Sequence, residues 1–332
     1  MMASGGSKGF VDVVTSLRGL ACLGVCLAHM SGGIAETLLG KMLHHGQLRV
    51  PMFFSMSGFV MALILDRPSL SIAGYPRYLL RRVVRLAPPL FATLALIVLI
   101  TMLSQVIQGG GAWPTPIPTR QILANLSFVP WIFGEEWMAY SYWTLGVEAV
   151  FYLVAPFMVL LAFRTDQRAR TGVVLCFLGA TSVLLSEKVL MALAFPAILT
   201  GLATYALYSK KLSPSWGLII FLILLGAVWF TTSSQWAIAC LLTGALILVF
   251  PKLKVRGLHE LGIISYSLYL VHEPIHSRVL NLGARFVPIE TLNWASIPVS
   301  LGISLVTAIC LWKLIEQPAQ RLSRRLKKRP AS

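Results

Sequence analysis

Apolar residues along this chain fall into long runs separated by short polar clusters. A membrane-spanning helix needs about 20 mostly apolar residues. Runs near that length lie at 12–30, 50–66, 84–107, 141–163, 172–186, 189–208, 215–232, 235–250, 261–280 and 295–315. The pattern predicts ten transmembrane helices. The fifth run, GVVLCFLGATSVLLS, is the shortest and would also suit a re-entrant segment. The longest connection, 108–140, opens with QGGGAWPTPIPT, a Gly/Pro-rich turn sequence. It continues through a segment bracketed by Trp131 and Trp137, aromatic residues of the kind that sit at membrane–water boundaries.

Composition agrees with the pattern. Of 332 residues, 57% are hydrophobic and 12% charged, whereas soluble domains carry about 25% charged residues. Mean hydropathy is +0.77. No polar stretch is long enough to fold as a second domain. The expectation is therefore one transmembrane domain over 1–332, with its core at 12–320 and a basic cytoplasmic tail at 321–332. The fold class expected is an all-α polytopic membrane protein, a bundle of about ten transmembrane helices.

A net charge of +16 first points to nucleic acid. Placing the charges removes that reading, because they sit in short loops between apolar runs. With the N-terminus inside, 20 of the 28 Lys and Arg residues fall in cytoplasmic segments and 6 outside, as the positive-inside bias requires. Both termini are then cytoplasmic, and the closing RLSRRLKKR reads as an anchor for anionic lipid. Lys8 alone precedes the first run, Arg18 interrupts it, and no small-residue cleavage site follows. An uncleaved first helix is expected rather than a signal peptide. The five cysteines, Cys22, Cys26, Cys176, Cys240 and Cys310, lie inside apolar runs without metal-type spacing, so they read as packing residues and no metal is expected.

Four polar groups remain to be explained. Arg18 and His29 are eleven residues apart on the first helix, which is 20° past three full turns. They share a face, about 16 Å apart along the axis, and ionisable residues in a span usually face a polar cavity or a partner. In RYLLRRVVRLAPP, Arg77, Arg81, Arg82 and Arg85 cluster before the third helix, whose start Pro88 and Pro89 constrain. Guanidinium forks suit phosphate. In YWTLGVEAVFYL, Glu148 lies several residues into the fourth helix, near Trp143 and Tyr152. In SYSLYLVHEP, Tyr266, Tyr269 and His272 follow i, i+3, i+6 spacing on one broad face, with Glu273 and Pro274 next. His44 and His45 read as loop residues without a role. Asp12, Glu260 and Glu316 lie near span ends and read equally as caps or loop charges. No phosphate-binding glycine loop is present.

Taken in order, these motifs resemble the acyltransferase-3 family of integral-membrane acyltransferases. LRGLACLGVCLAH resembles its Arg-x10-His first helix, FFSMSGFVM its Phe-Phe-x-x-Ser-Gly-Phe helix and RRVVRLAP its Arg-x-x-Arg signature. YWTLGVEAVFYLVAPF resembles its Trp-Ser-Leu-x-x-Glu helix, SYSLYLVHEP its late Tyr-x-x-Tyr-x-x-His stretch and LIEQPAQR its closing Glu-x-Pro. The chain departs from the pattern at Pro51, Thr144 and Ala149.

The resemblance implies transfer of an acyl group, commonly acetyl from acetyl-CoA, to a hydroxyl of a glycan or glycolipid such as exopolysaccharide or O-antigen. It implies a bacterial inner membrane and, because no hydrolase-like domain is fused here, action alone or with a separate extracytoplasmic partner protein. His29 is then the expected general base, Arg18 a donor-binding or charge-stabilising group, and Glu148 an orienting carboxylate. Arg82 and Arg85, helped by Arg77 or Arg81, would hold the CoA phosphates. Ser57, Trp143, Tyr152, Tyr266, Tyr269 and His272 are the expected pocket lining. A multi-span carrier of a glycan precursor or small solute is the rival class. It suits polar residues along a helix face but leaves six ordered motifs unexplained.

Overall fold

A computed structural model describes residues 8–44, 49–66, 72–107, 117–163, 168–185 and 193–326. All regular structure among them is helical: α1 (Lys8–Met30), α2 (Leu38–His44), α3 (Val50–Leu65), α4 (Tyr75–Ile107), α5 (Thr119–Leu126), α6 (Trp143–Phe163), α7 (Arg168–Leu185), α8 (Phe195–Tyr208), α9 (Pro214–Thr231), α10 (Ser234–Val249), α11 (Arg256–Ile263), α12 (Ser265–Gly283), α13 (Ile289–Leu311) and α14 (Gln317–Arg325). His45, Arg67, Arg164, Lys188, the sequence at 108–116 and the residues 327–332 lie outside the described residues.

Each of the ten apolar runs contains a helix. Among the described residues, five candidate spans are long and apolar enough to cross a membrane: Asp12–Met30, Tyr75–Val106, Tyr140–Phe163, Pro214–Thr231 and Ile289–Arg325. Helix α9 shows why composition reads as membrane. It buries Ile220, Phe221, Leu224 and Val228 and leaves Leu218, Leu222, Trp229 and Phe230 exposed. A helix apolar on every face is stable in a bilayer, where the outward face meets lipid tails.

One expected boundary needs correction. The third helix does not begin at 84: α4 starts at Tyr75, so Arg77, Arg81, Arg82 and Arg85 lie within it, and Pro88 and Pro89 are inside the helix rather than at its start. Charge and proline both suggested a boundary. Yet arginine keeps helical backbone while its long stem reaches to a polar boundary, and membrane helices tolerate proline where nearby groups restore the lost bonding. α13 continues through one wide π turn, Trp312–Glu316, into α14, so Arg321, Arg324 and Arg325 are helical.

The chain divides into two compact units. The first comprises Met1–Val25, Gly46–Gly74 and Val150–Ile263. Its α3 and α8 pack backbone to backbone. A Cβ at Gly58 would fall 2.0 Å from the Ile198 carbonyl oxygen, and one at Gly201 would fall 1.9 Å from that of Ser55. Small residues permit this approach, on which helix association in a membrane depends. At the end of α3, Asp66 accepts from the Tyr205 hydroxyl at 2.7 Å and pairs with Lys211 Nζ at 3.1 Å. Lys211 also donates to the Phe163 carbonyl at 2.8 Å, closing the end of α6. Arg49, just before α3, runs across Gly24 of α1 and donates to its carbonyl at 2.9 Å.

The second unit comprises Cys26–His45, Tyr75–Ala149 and Ile264–Ser332. Here α12 packs extensively against α13. The buried Ser296, Ser300 and Ser304 recur every four residues along α13, and α12 places His276 Nδ1 3.0 Å from Ser300 Oγ. Reciprocal bonds tie α14 to α4: Arg81 Nε donates to the Ser323 carbonyl at 3.2 Å, and Ser323 Oγ donates to the Arg81 carbonyl at 2.8 Å.

Candidate active site

The second unit gathers the chemistry around one proline. Pro274 lies inside α12 and has no N–H to give the carbonyl one turn back, that of Leu270. A buried carbonyl left without a donor costs about 1–3 kcal/mol. The Tyr142 hydroxyl fills the position, donating to Leu270 O at 2.6 Å, and Tyr142 is 1% exposed. The same stretch is clasped from the other side. Both oxygens of Glu273 accept backbone N–H groups, Oε1 from Tyr140 and Oε2 from Ser141, each at 2.8 Å. The turn 140–142 that leads into α6 is thus fixed to α12 by a carboxylate and a phenol.

Around this clasp the hydroxyls form a chain. Tyr269 OH donates to the Ser141 carbonyl at 2.6 Å, and Thr144 Oγ1 lies 2.6 Å from the Tyr269 oxygen. Thr144 Oγ1 also reaches the Ser141 carbonyl at 3.2 Å, so either hydroxyl can donate in the contact between them. Thr144, a departure from the family's serine, therefore supplies the hydroxyl at this position.

His272 follows Tyr269 by three residues and is fully buried. Its Nδ1 sits 2.7 Å from the Tyr269 carbonyl oxygen, and its Nε2 lies 2.8 Å from Nδ1 of His29. The two rings are within 8° of parallel, with centres 5.1 Å apart. His29 closes the last turn of α1 and is half-buried. Two of the residues expected at the site from sequence, His29 and His272, therefore meet directly across 243 positions of chain, and Tyr269 joins them through the carbonyl that His272 binds.

The remaining expectations are met unevenly. Tyr266 is turned to α4, its hydroxyl donating to Leu86 O at 2.8 Å. The Arg82 guanidinium lies 5.5 Å from the centre of the Tyr78 ring, and Tyr78 interacts electrostatically with both Arg82 and Glu148. Glu148 thus lies within electrostatic range of Tyr78 on α4. Arg77 is exposed and Arg85 half-buried, while Arg81 is committed in part to α14. Trp143 is half-buried at the start of α6. Arg18, Ser57 and Tyr152 are half-buried members of the first unit. Among the described residues no group of three or more His, Cys, Asp or Glu side chains has metal-binding geometry.

Sequence reading passed over Ser141 and Tyr142 and gave no role to Glu273 or His276. The signal for Tyr142 was present in Pro274, which frees a carbonyl four residues earlier. Which side chain fills it depends on the packing of α12 against the entrance to α6.

The chain belongs to the acyltransferase-3 family: that family's model, described as an acyltransferase domain, matches residues 12–313. It is accordingly a multi-pass membrane acyltransferase. No curated protein and no solved structure matches the chain.

Proposed function

We propose that this protein moves an acetyl group from cytoplasmic acetyl-CoA to a hydroxyl of an extracytoplasmic or lipid-linked glycan, with His29 as the general base. The observation that carries the reading is the buried contact between His29 and His272. It gives the imidazole at the end of the first helix a fixed partner in a membrane acyltransferase. Imidazole suits the role because its unperturbed pKa lies near the working pH, about 6.5.

The reaction balances without any further reagent. His29 takes the proton from the acceptor O–H as that oxygen attacks the thioester carbonyl. The carbon–sulfur bond breaks, and CoA leaves as a thiolate that regains the proton from the imidazolium. Arg82 and Arg85, with Arg77 and Arg81 beside them, hold the CoA phosphates. Arg18 binds the donor or faces the negative charge that develops on the carbonyl oxygen. Glu148 orients a polar partner or helps tune the histidine.

Ten spans with both termini cytoplasmic, in a bacterial inner membrane, would put Arg18 and the arginine segment towards the cytoplasm and His29 towards the outside. The roughly 16 Å between Arg18 and His29 covers about half of a 30 Å hydrocarbon core, so a donor held inside could meet an acceptor arriving from outside. A separate extracytoplasmic protein would deliver or receive the glycan where one is required.

Mass spectrometry of surface glycans tests this reading in cells carrying wild-type protein, His29→Ala or neither, at matched membrane levels. An acetyl ester seen with wild type and reduced about 100-fold or more in His29→Ala is expected. An ester that persists in His29→Ala removes the base assignment. Loss of acetyl-CoA binding in Arg82→Ala/Arg85→Ala is the matching result for the donor site.

A further inference from the structure

We infer that His272 is a positioning residue that fixes the tautomer of His29 and leaves Nε2 of His29 as the basic atom. The inference rests on the reading of His29 as the base. The argument starts from a backbone carbonyl, which can only accept. His272 Nδ1 lies 2.7 Å from the Tyr269 carbonyl oxygen, so that nitrogen carries the hydrogen. A neutral imidazole has one N–H and one lone pair, so the lone pair of His272 is on Nε2. That atom faces His29 Nδ1 at 2.8 Å. A bond at that distance needs a donor on the other side, so the hydrogen of His29 is on Nδ1. The lone pair of a neutral His29 is then on Nε2.

Ring geometry supports a true hydrogen bond here rather than face-to-face stacking. The lone pair and the N–H bond of imidazole both lie in the ring plane. Rings within 8° of parallel, with centres 5.1 Å apart and nitrogens 2.8 Å apart, are placed edge to edge. The separation of centres equals the nitrogen–nitrogen distance plus the two ring radii, the largest value that contact allows. Donor and acceptor orbitals therefore point along one line.

The surroundings hold His272 in this orientation. It is 0% exposed, and the helix that carries it is clasped on either side of the ring by Tyr142 at Leu270 and by the Tyr140 and Ser141 N–H groups at Glu273. When His29 takes a proton on Nε2, its Nδ1–H still donates to His272, and the positive charge is shared along the N–H···N bond. His272 thus serves both states of the cycle without touching the reacting atoms. The same orienting function, a partner on one ring nitrogen deciding the chemistry of the other, is known for histidines in general.

Two measurements test the inference separately from the acyl-transfer reading. Solid-state 15N NMR of ring-labelled histidine in the full-length protein in lipid reports which nitrogen of each ring is protonated, and the His29 signal is identified by its loss in His29→Gln. The neutral form with hydrogen on Nδ1 is expected. A neutral His29 with hydrogen on Nε2 overturns the inference, whatever the activity. Turnover then separates positioning from bulk structure. His272→Leu, which fills the site but accepts nothing, should lower kcat about 10- to 100-fold with KM for acetyl-CoA little changed. His272→Gln, whose amide oxygen reaches the Nε2 position, should recover most of it. Equal loss in both variants, at equal folded protein, overturns the positioning role. Full activity in His29→Ala would defeat the base assignment and leave the tautomer result standing.

Discussion

The two units of this molecule are held together by different means. In the first, α3 and α8 approach until glycine is the only residue that fits, and the contact is backbone against backbone at Gly58 and Gly201. In the second, long-range order comes from side chains that reach backbone groups: Tyr142 to Leu270, Glu273 to Tyr140 and Ser141, Tyr266 to Leu86, and Ser323 with Arg81. The contact between α3 and α8 is satisfied by shape. A buried polar network must satisfy every member. That requirement gives His29 and His272 their fixed partners.

The comparison breaks first at Gly201. Gly201→Leu puts a side chain where even a Cβ lies 1.9 Å from a backbone oxygen, and should destabilise the protein by about 3 kcal/mol. Thermal unfolding in detergent measures it. The folded fraction should fall while activity per folded molecule holds. A loss of specific activity instead would mean that the first unit's packing also shapes the site.

Glu273→Gln should cost less stability, about 2 kcal/mol, because one amide end can accept a single N–H and the other presents a donor to a donor. Its effect on turnover should exceed its effect on folding, since it loosens the turn that carries Ser141 against α12. Tyr142→Phe leaves the Leu270 carbonyl without a donor at a cost of about 1 kcal/mol. Hydrogen exchange around 270–274 should rise, with little change elsewhere. Unchanged exchange there would mean that another group, water included, replaces the phenol.

The smallest change is expected at the polar clamp of the first unit. Lys211→Met removes the partner of Asp66, but both side chains keep some solvent contact, and the Tyr205 hydroxyl still donates to Asp66. A loss of about 0.5–1 kcal/mol is expected, with activity unaffected. A shift as large as that of Gly201→Leu would show that polar clamping governs the first unit too.

Much of this was written locally. Runs of apolar residues place a helix in every expected segment because lipid and hydrogen-bonding physics act over about 20 neighbouring residues. His29, Glu148 and the α4 arginines stood out because charge inside an apolar run is costly. Boundaries were less legible: arginine and proline looked like stops at 77–89, yet α4 passes through both.

The sequence by itself determined a helical membrane protein, its ordered motifs and therefore its family, and His29 as a candidate base. Only tertiary structure decided that the partner of His29 is His272, that the Tyr269 carbonyl orients that partner, and that Glu273 and Tyr142 secure the turn beside it. The reason is range. Hydropathy and helical spacing are set between near neighbours, whereas the 2.8 Å contact joins residues 243 positions apart. It exists only once a proline-freed carbonyl and two bare N–H groups have found their donors and acceptor across helices.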